Sequence, residues 1–325
     1  MHMGSRAMRV STRLAVQLVA VSVLVVGSVT PAVAARPVHG GSTGSGGSTT
    51  TGADVSYPQC GTTVPSFAFG IVGVNDGLAN NLNPCLGPSS SYGSYTQSEL
   101  YWAVTASTGL TSSSTQPEAS LYVNTADPGN IYNGKPIADW PTSGGNTQYG
   151  SCTTTTVTSR GHTYLVGANS DACAWQYGYD KAAQDAAWLT SAAKAINGQQ
   201  SAVTVPDTPA SYPWWLDVEA GNTWQSNTSM NVADLQGMVA GLLAAGVTAN
   251  AIGAYSTASQ WNTITGGTMS TSTAGSLYGI PNWIPGATTQ AQAEINCNQY
   301  SFTGGSVTVT QWTGSPDNDW ACVPA

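Results

Sequence analysis

Residues 214–219 read WWLDVE, which sets two carboxylates one residue apart inside an apolar, aromatic run. Only 7% of the chain is charged, so two acids in such a run stand out against the rest of the sequence. In a strand, residues i and i+2 share a face, so Asp217 and Glu219 project together while Val218 turns the other way. Burying unpaired carboxylates is costly unless a ligand or hydrogen bonds compensate. A pair placed this way suits hydrolysis of a glycosidic bond, in which one carboxyl donates a proton and the other stabilises positive charge or attacks. The competing reading is a buried polar network that only fixes strand ends.

Other candidate strands also end in polar groups. Asp54 lies in the first, Asn75-Asp76-Gly77 follows the second, Asn124 ends the third and Tyr255 the fifth. Gln311 and Trp312 close the last apolar run, with Asp317 and Asp319 just beyond it. Each alone reads equally well as a capping or turn residue; their convergence on one rim is the informative part. Trp214, Trp215, Trp224, Trp283 and Trp312 are candidates for stacking on sugar faces, although buried tryptophans are mostly core. His162 is the sole histidine beyond residue 39, so Ser-His-Asp, Cys-His and histidine-metal chemistry have little to build on. No metal site and no cofactor is expected.

Strands must hold these groups. The candidates are ADVSY (53–57), FAFGIVGV (67–74), ASLYVN (119–124), WWLDVE (214–219), AIGAYS (251–256), NWIPG (282–286) and VTVTQW (307–312). Helical patterns separate them at 96–107, at 180–196 opening on an Asp180 cap, and at 231–246 running from Asn231 to Gly246. Strand alternating with helix, with continuous apolar runs, predicts a parallel sheet covered on both faces. At this length a (β/α)8 TIM-like barrel with irregular last strands fits best, VTVTQW being its eighth strand and a seventh lying near 293–296. A doubly wound open sheet is the rival, but DVSYPQCG is no Gly-rich phosphate turn. In a barrel the acidic pair would sit at the C-terminal mouth.

Residues 1–35 carry Arg6, Arg9 and Arg13, an apolar stretch and PAVAA, the pattern of a cleaved secretory signal, with a retained anchor as the alternative. Residues 36–53 read as a Gly/Ser/Thr linker and 54–325 as the barrel domain, with an insertion at about 128–180. From Ala53 onward, four basic residues (Lys135, Arg160, Lys181, Lys194) face sixteen acids, a net charge of −12. Such a surface repels phosphate backbones and argues against nucleic acid as a partner. The six cysteines, an even number in a chain read as secreted, imply disulfides. Fifteen pairings are possible; the sequential one, Cys60–Cys85, Cys152–Cys173 and Cys297–Cys322, is favoured because each closes one loop-sized segment. A secreted monomer, without membrane contact after signal cleavage, is expected.

Taken in order, DVSYPQCG, WWLDVE and VTVTQW resemble the glycoside hydrolase family 25 lysozymes and related glycoside hydrolase-like barrels of secreted actinobacterial proteins. The resemblance spans 53–325 and rests most on the D-x-E strand. It implies cleavage of the β-1,4 bond after N-acetylmuramic acid in cell-wall peptidoglycan. Glu219 would then be the general acid/base, and Asp217 the nucleophile or the group that orients the substrate acetamido. Asp54 would tune the pair and bind sugar, with Asp319 matching the family's acid after the last strand; Asp76, Asn124, Tyr255 and Trp312 are the further substrate-binding candidates. The chain departs from the family in having Asn75-Asp76-Gly77 where a Thr-Glu-Gly-like turn is usual. A non-catalytic glycan-binding barrel and a glycosidase for another polysaccharide are the alternative functions.

Overall fold

The structure, a computed structural model, describes residues 50–55, 59–60, 67–75, 79–89, 91, 93–105, 119–267 and 275–322. The signal-like segment, most of the linker and Asp76 lie outside the described residues. Eight strands close into a barrel: β1 (Thr51–Val55), β2 (Phe69–Gly73), β3 (Ala119–Asn124), β4 (Trp214–Asp217), β5 (Ile252–Tyr255), β6 (Asn282–Ala287), β7 (Val307–Trp312) and β8 (Asp317–Ala321). Neighbours from β1 to β7 run parallel, whereas β8 is antiparallel to both β7 and β1.

The closed barrel with an irregular last strand agrees with the expectation, whereas the helix count and the order of the last elements depart from the (β/α)8 plan. Five α-helices are found among the described residues: α1 (Glu99–Thr105), α2 (Asp171–Gln199), α3 (Thr228–Ala244), α4 (Ala258–Thr265) and α5 (Gln290–Asn296). The segment expected to supply a seventh strand is α5, capped by Thr289, whose side chain accepts from the Gln292 amide. VTVTQW is therefore the seventh strand. Only four residues separate Trp312 from Asp317, too few for a parallel crossover, so the last strand must turn back. Asp319, expected after the final strand, lies within it.

Two helix starts are also earlier than the sequence suggested. Ser170 caps α2, accepting from the Cys173 amide at 3.4 Å, and Asp180 is an exposed mid-helix residue that accepts from Gln176. Asn227, rather than Asn231, caps α3. The insertion after β3 thus ends at residue 170 and consists of three short hairpins, the longest pairing Thr154–Ser159 with His162–Gly167. Its disulfide joins Cys152 to Cys173 in the first turn of α2; the other bridges are Cys60–Cys85 and Cys297–Cys322.

Strand alternation divides the core in two. Trp214, Leu216, Leu121, Val123, Ile252 and Ala254 face the helices in one large cluster. Trp215, Phe69, Ile71, Tyr122, Trp283 and Val309 fill the barrel interior. Space for these rings comes from the strands alongside. A Cβ on Gly253 would meet the Trp215 ring at 2.3 Å, so no larger residue fits beside that indole. The aromatic plug forms the floor beneath the C-terminal strand ends.

Candidate active site

Above that floor, the inward positions become polar. Asp217 ends β4, level with Asn124 on β3 and Tyr255 on β5. Its neighbours in the chain fix the parity: Trp215 is inside the barrel, while Leu216 and Val218 pack towards the helices. Asp217 and Glu219 therefore lean to the same side, as alternation requires.

The backbone at this point is held from both flanks. The Asp217 carbonyl accepts from Thr125 N at 3.2 Å and Thr125 Oγ1 at 2.6 Å. Val218 N donates to the Tyr255 carbonyl at 2.9 Å, and Ser256 Oγ donates to the Val218 carbonyl at 2.7 Å. The Glu219 carbonyl accepts from Asn222 N at 3.1 Å and Trp224 Nε1 at 2.8 Å. Glu219 is thereby fixed just past the strand end, its residue partly exposed, while Asp217 is buried.

The other acids of the rim come from β1 and β8. Gln311 and Asp319 face each other across β7 and β8, and Asp54 lies opposite Asp317 on β8. Gln311 Nε2 donates to Asp54 Oδ2 at 2.8 Å, and the Tyr255 hydroxyl donates to Gln311 Oε1 at 3.0 Å. Trp283 Nε1 donates to Asp319 Oδ1 at 2.9 Å. The Trp283 ring also meets the edges of Tyr255 and Trp215, with centroids 4.4 and 5.9 Å apart.

The electrostatics follow from burial. Burial raises the Asp217 carboxyl well above the usual carboxylate range, and the negative charges of Glu219 and Asp54 push it further. Its Oδ1 is sealed from solvent and receives no hydrogen bond. Burial lifts Asp54 to about 6, against the pull of its bond to Gln311. Asp319 is raised well above its usual range, first by burial and then by the neighbouring Asp54 charge. Burial and the surrounding carboxylates also raise the Tyr255 hydroxyl.

Asp54, Asp217, Asp319 and Tyr255 thus converge with Glu219. Asn124 lies in the same row, its amide nitrogens and side chain engaged with Asn75. Trp312 does not join them: the alternation that turns Val309 and Gln311 inward turns it to the side of Thr310, which bonds the α5 carbonyl of Ala293. Of the proposed stacking residues, Trp214 is sealed in the outer core, and Trp215 and Trp283 are buried in the plug. His162 sits exposed on the insertion hairpin. Sequence reasoning underrated Gln311 and Trp283, which supply the two side-chain donors to the acids. VTVTQW carried the signal for Gln311, since Val309 and Gln311 share its inward face.

A second group of acids was not foreseen. Asp127 after β3, Asp185 on α2 and Asp234 on α3 are all buried. Asp127 accepts from Gln225 Nε2 at 2.6 Å and Asp185 accepts from Asn75 Nδ2 at 3.4 Å, while neither Asp234 oxygen has a partner. Lys181, also buried, bonds Asp139 Oδ2 at 2.7 Å and lies over the Tyr177 ring. No group of three or more His, Cys, Asp or Glu residues able to hold a metal ion occurs among the described residues.

Comparison with known proteins adds two findings. Residues 207–303 match the model of a family described as Lysozyme-like protein 1. Among solved structures, the chain is similar to the bacterial lysozyme from Streptomyces coelicolor, with 16% identity, 86% of this chain and 93% of that chain covered, and a TM-score of 0.42. No curated protein matches the sequence. The matched segment holds the stretch from β4 through α5, which contains Asp217, Glu219, Tyr255 and Trp283.

Proposed function

We propose that this protein is a secreted glycoside hydrolase of the muramidase type, acting on the β-1,4 bond after N-acetylmuramic acid in peptidoglycan. The observation that carries the reading is the shared inward face of Asp217 and Glu219 at the C-terminal end of β4, inside the lysozyme-like segment. Glu219, partly exposed at the rim, is the general acid that protonates the leaving oxygen and later activates water. Asp217 orients the substrate acetamido group. Burial favours its protonated form, and a neutral carboxyl makes a poor nucleophile. Asp54 adds negative potential beneath the sugar ring, where an oxocarbenium-like charge would develop.

Secretion is supported by the signal-like N-terminus and by three disulfides, which persist in oxidising compartments. No helix of the described residues is long and apolar enough to cross a membrane.

Release of soluble reducing ends from purified peptidoglycan tests the reading. Glu219→Gln should lower the rate roughly 10²–10⁴-fold, the usual worth of a positioned general acid, with folding and binding retained. Binding by the wild type without released reducing ends would instead identify a glycan-binding barrel that does not turn over.

A further inference from the structure

Asp54 is flanked by two groups able to give it a hydrogen. On one side Gln311 Nε2 donates to its Oδ2 at 2.8 Å. On the other, strand register sets Asp319 diagonally across from it on the same inward face, since Asp317 is its direct partner on β8, and the two carboxyls interact. Asp319 takes the Trp283 indole hydrogen on Oδ1, while its Oδ2 is sealed from solvent and receives nothing. The single salt bridge among the described residues is Lys181–Asp139, so no described cation pairs with these acids.

Two ionised carboxyls in contact at such a site repel, and one shared proton removes the conflict. Asp319 is the more deeply buried, 0% exposed against 9% for Asp54, and burial favours the neutral form. The proton therefore belongs on Asp319, directed at Asp54. Gln311 extends the arrangement, because its oxygen takes the one hydrogen of the Tyr255 hydroxyl. Were Asp54 protonated, the Gln311 amide would turn over, donate to Tyr255 and release that hydrogen towards Asp217 and Glu219.

We propose that Gln311 and Asp319 are positioning residues: they donate an amide hydrogen and a carboxyl proton to Asp54, which keeps Asp54 an anion and ties the Tyr255 hydroxyl hydrogen away from Asp217 and Glu219. The titratable groups facing this unit are Asp54 from β1, Asp217 and Glu219 from the end of β4, Tyr255 from β5, and Asp317 and Asp319 from β8. The catalytic consequence rests on the glycosidase reading; the proton arrangement does not.

The test is a ¹³C-carboxyl NMR titration of the full-length, ligand-free protein, with the Asp54 signal assigned by its loss in Asp54→Asn. Gln311→Met keeps the side-chain length and removes the donor, so the Asp54 midpoint should rise by about one pH unit, the worth of one charge-assisted hydrogen bond. Asp319→Ala should raise it too, because a donor is lost. Asp319→Asn, which keeps a neutral donor, should leave the midpoint near that of the wild type. If Asp319 were instead ionised, Ala and Asn would both lower the midpoint by removing a negative charge. An unmoved midpoint in Gln311→Met, or a lowered one in Asp319→Ala, overturns the proposal. In peptidoglycan hydrolysis the acid limb of kcat/KM should move up with Gln311→Met, which a purely structural role would not produce. Absence of hydrolysis by the wild type would refute the glycosidase reading and leave the titration intact.

Discussion

At the barrel mouth, Asp54, Asp217 and Asp319 point inward from three strands; between α2 and α3, Asp127, Asp185 and Asp234 are gathered from a loop and two helices. Both groups are buried and both are pushed up by burial. They differ in what lies beside them. The mouth has Glu219 on its open side and no described cation. The helix group has Lys181 running through it, in bonds to Asp139 and Gln184. The first lies at the strand ends beside the partly exposed Glu219, whereas the second is closed by two helices whose backbones nearly touch. Raised carboxyl pKa values therefore do not by themselves mark an active site; access and placement at strand ends decide.

The largest expected effect tests the closure of the helix group. A Cβ on Gly178 would meet the Asp234 carbonyl oxygen at 2.0 Å, and that backbone atom cannot move aside as a flexible side chain could. Gly178→Ala should cost about 3 kcal/mol in denaturant unfolding, at the upper end of overpacking costs. A neutral result would mean that α2 and α3 are not packed this closely.

Lys181→Met should come next. Removing one partner of a buried pair commonly costs about 3–5 kcal/mol, but Asp139 is half exposed, so about 2 kcal/mol at pH 7 is expected here after allowing for solvent screening. The loss should shrink at pH 5, where Asp185 and Asp234 hold protons more readily.

A third measurement is stability against pH. Folding raises Asp54 and Asp127 to about 6 and Glu99 to about 7. A carboxyl raised on folding contributes stability that is complete below its unfolded value, about 4, and lost as pH rises through the folded one. Melting temperature should therefore fall between about pH 4 and 7. Asp234→Asn should reduce that slope by up to about 1.4 kcal/mol per pH unit, the linkage of one proton. An unchanged slope would mean that Asp234 is ionised in the folded protein.

The mouth was readable in the sequence and the helix group was not, for a physical reason. D-x-E lies on one strand, so alternation alone puts both acids on one face, and the apolar run around it marks a central strand. Asp127, Asp185 and Asp234 are brought together by packing of distant segments, which no local period reports. β8 was missed because DNDWA reads as a polar turn: two of its three inward residues are acids, opposite to the usual pattern. The start of α2 was missed because CAWQYGYD, with two tyrosines, a tryptophan and a glycine, has weak helix propensity, and packing against α3 overrides it.

The central question is whether Glu219 cleaves a muramyl bond. The direct measurement is mass spectrometry of muropeptides after peptidoglycan is incubated in H₂¹⁸O with the wild type and with Glu219→Gln. Soluble fragments ending in reducing N-acetylmuramic acid, carrying one ¹⁸O at the new end, are expected from the wild type alone. Equal release by the variant, or no fragments from either protein, would contradict the proposed function.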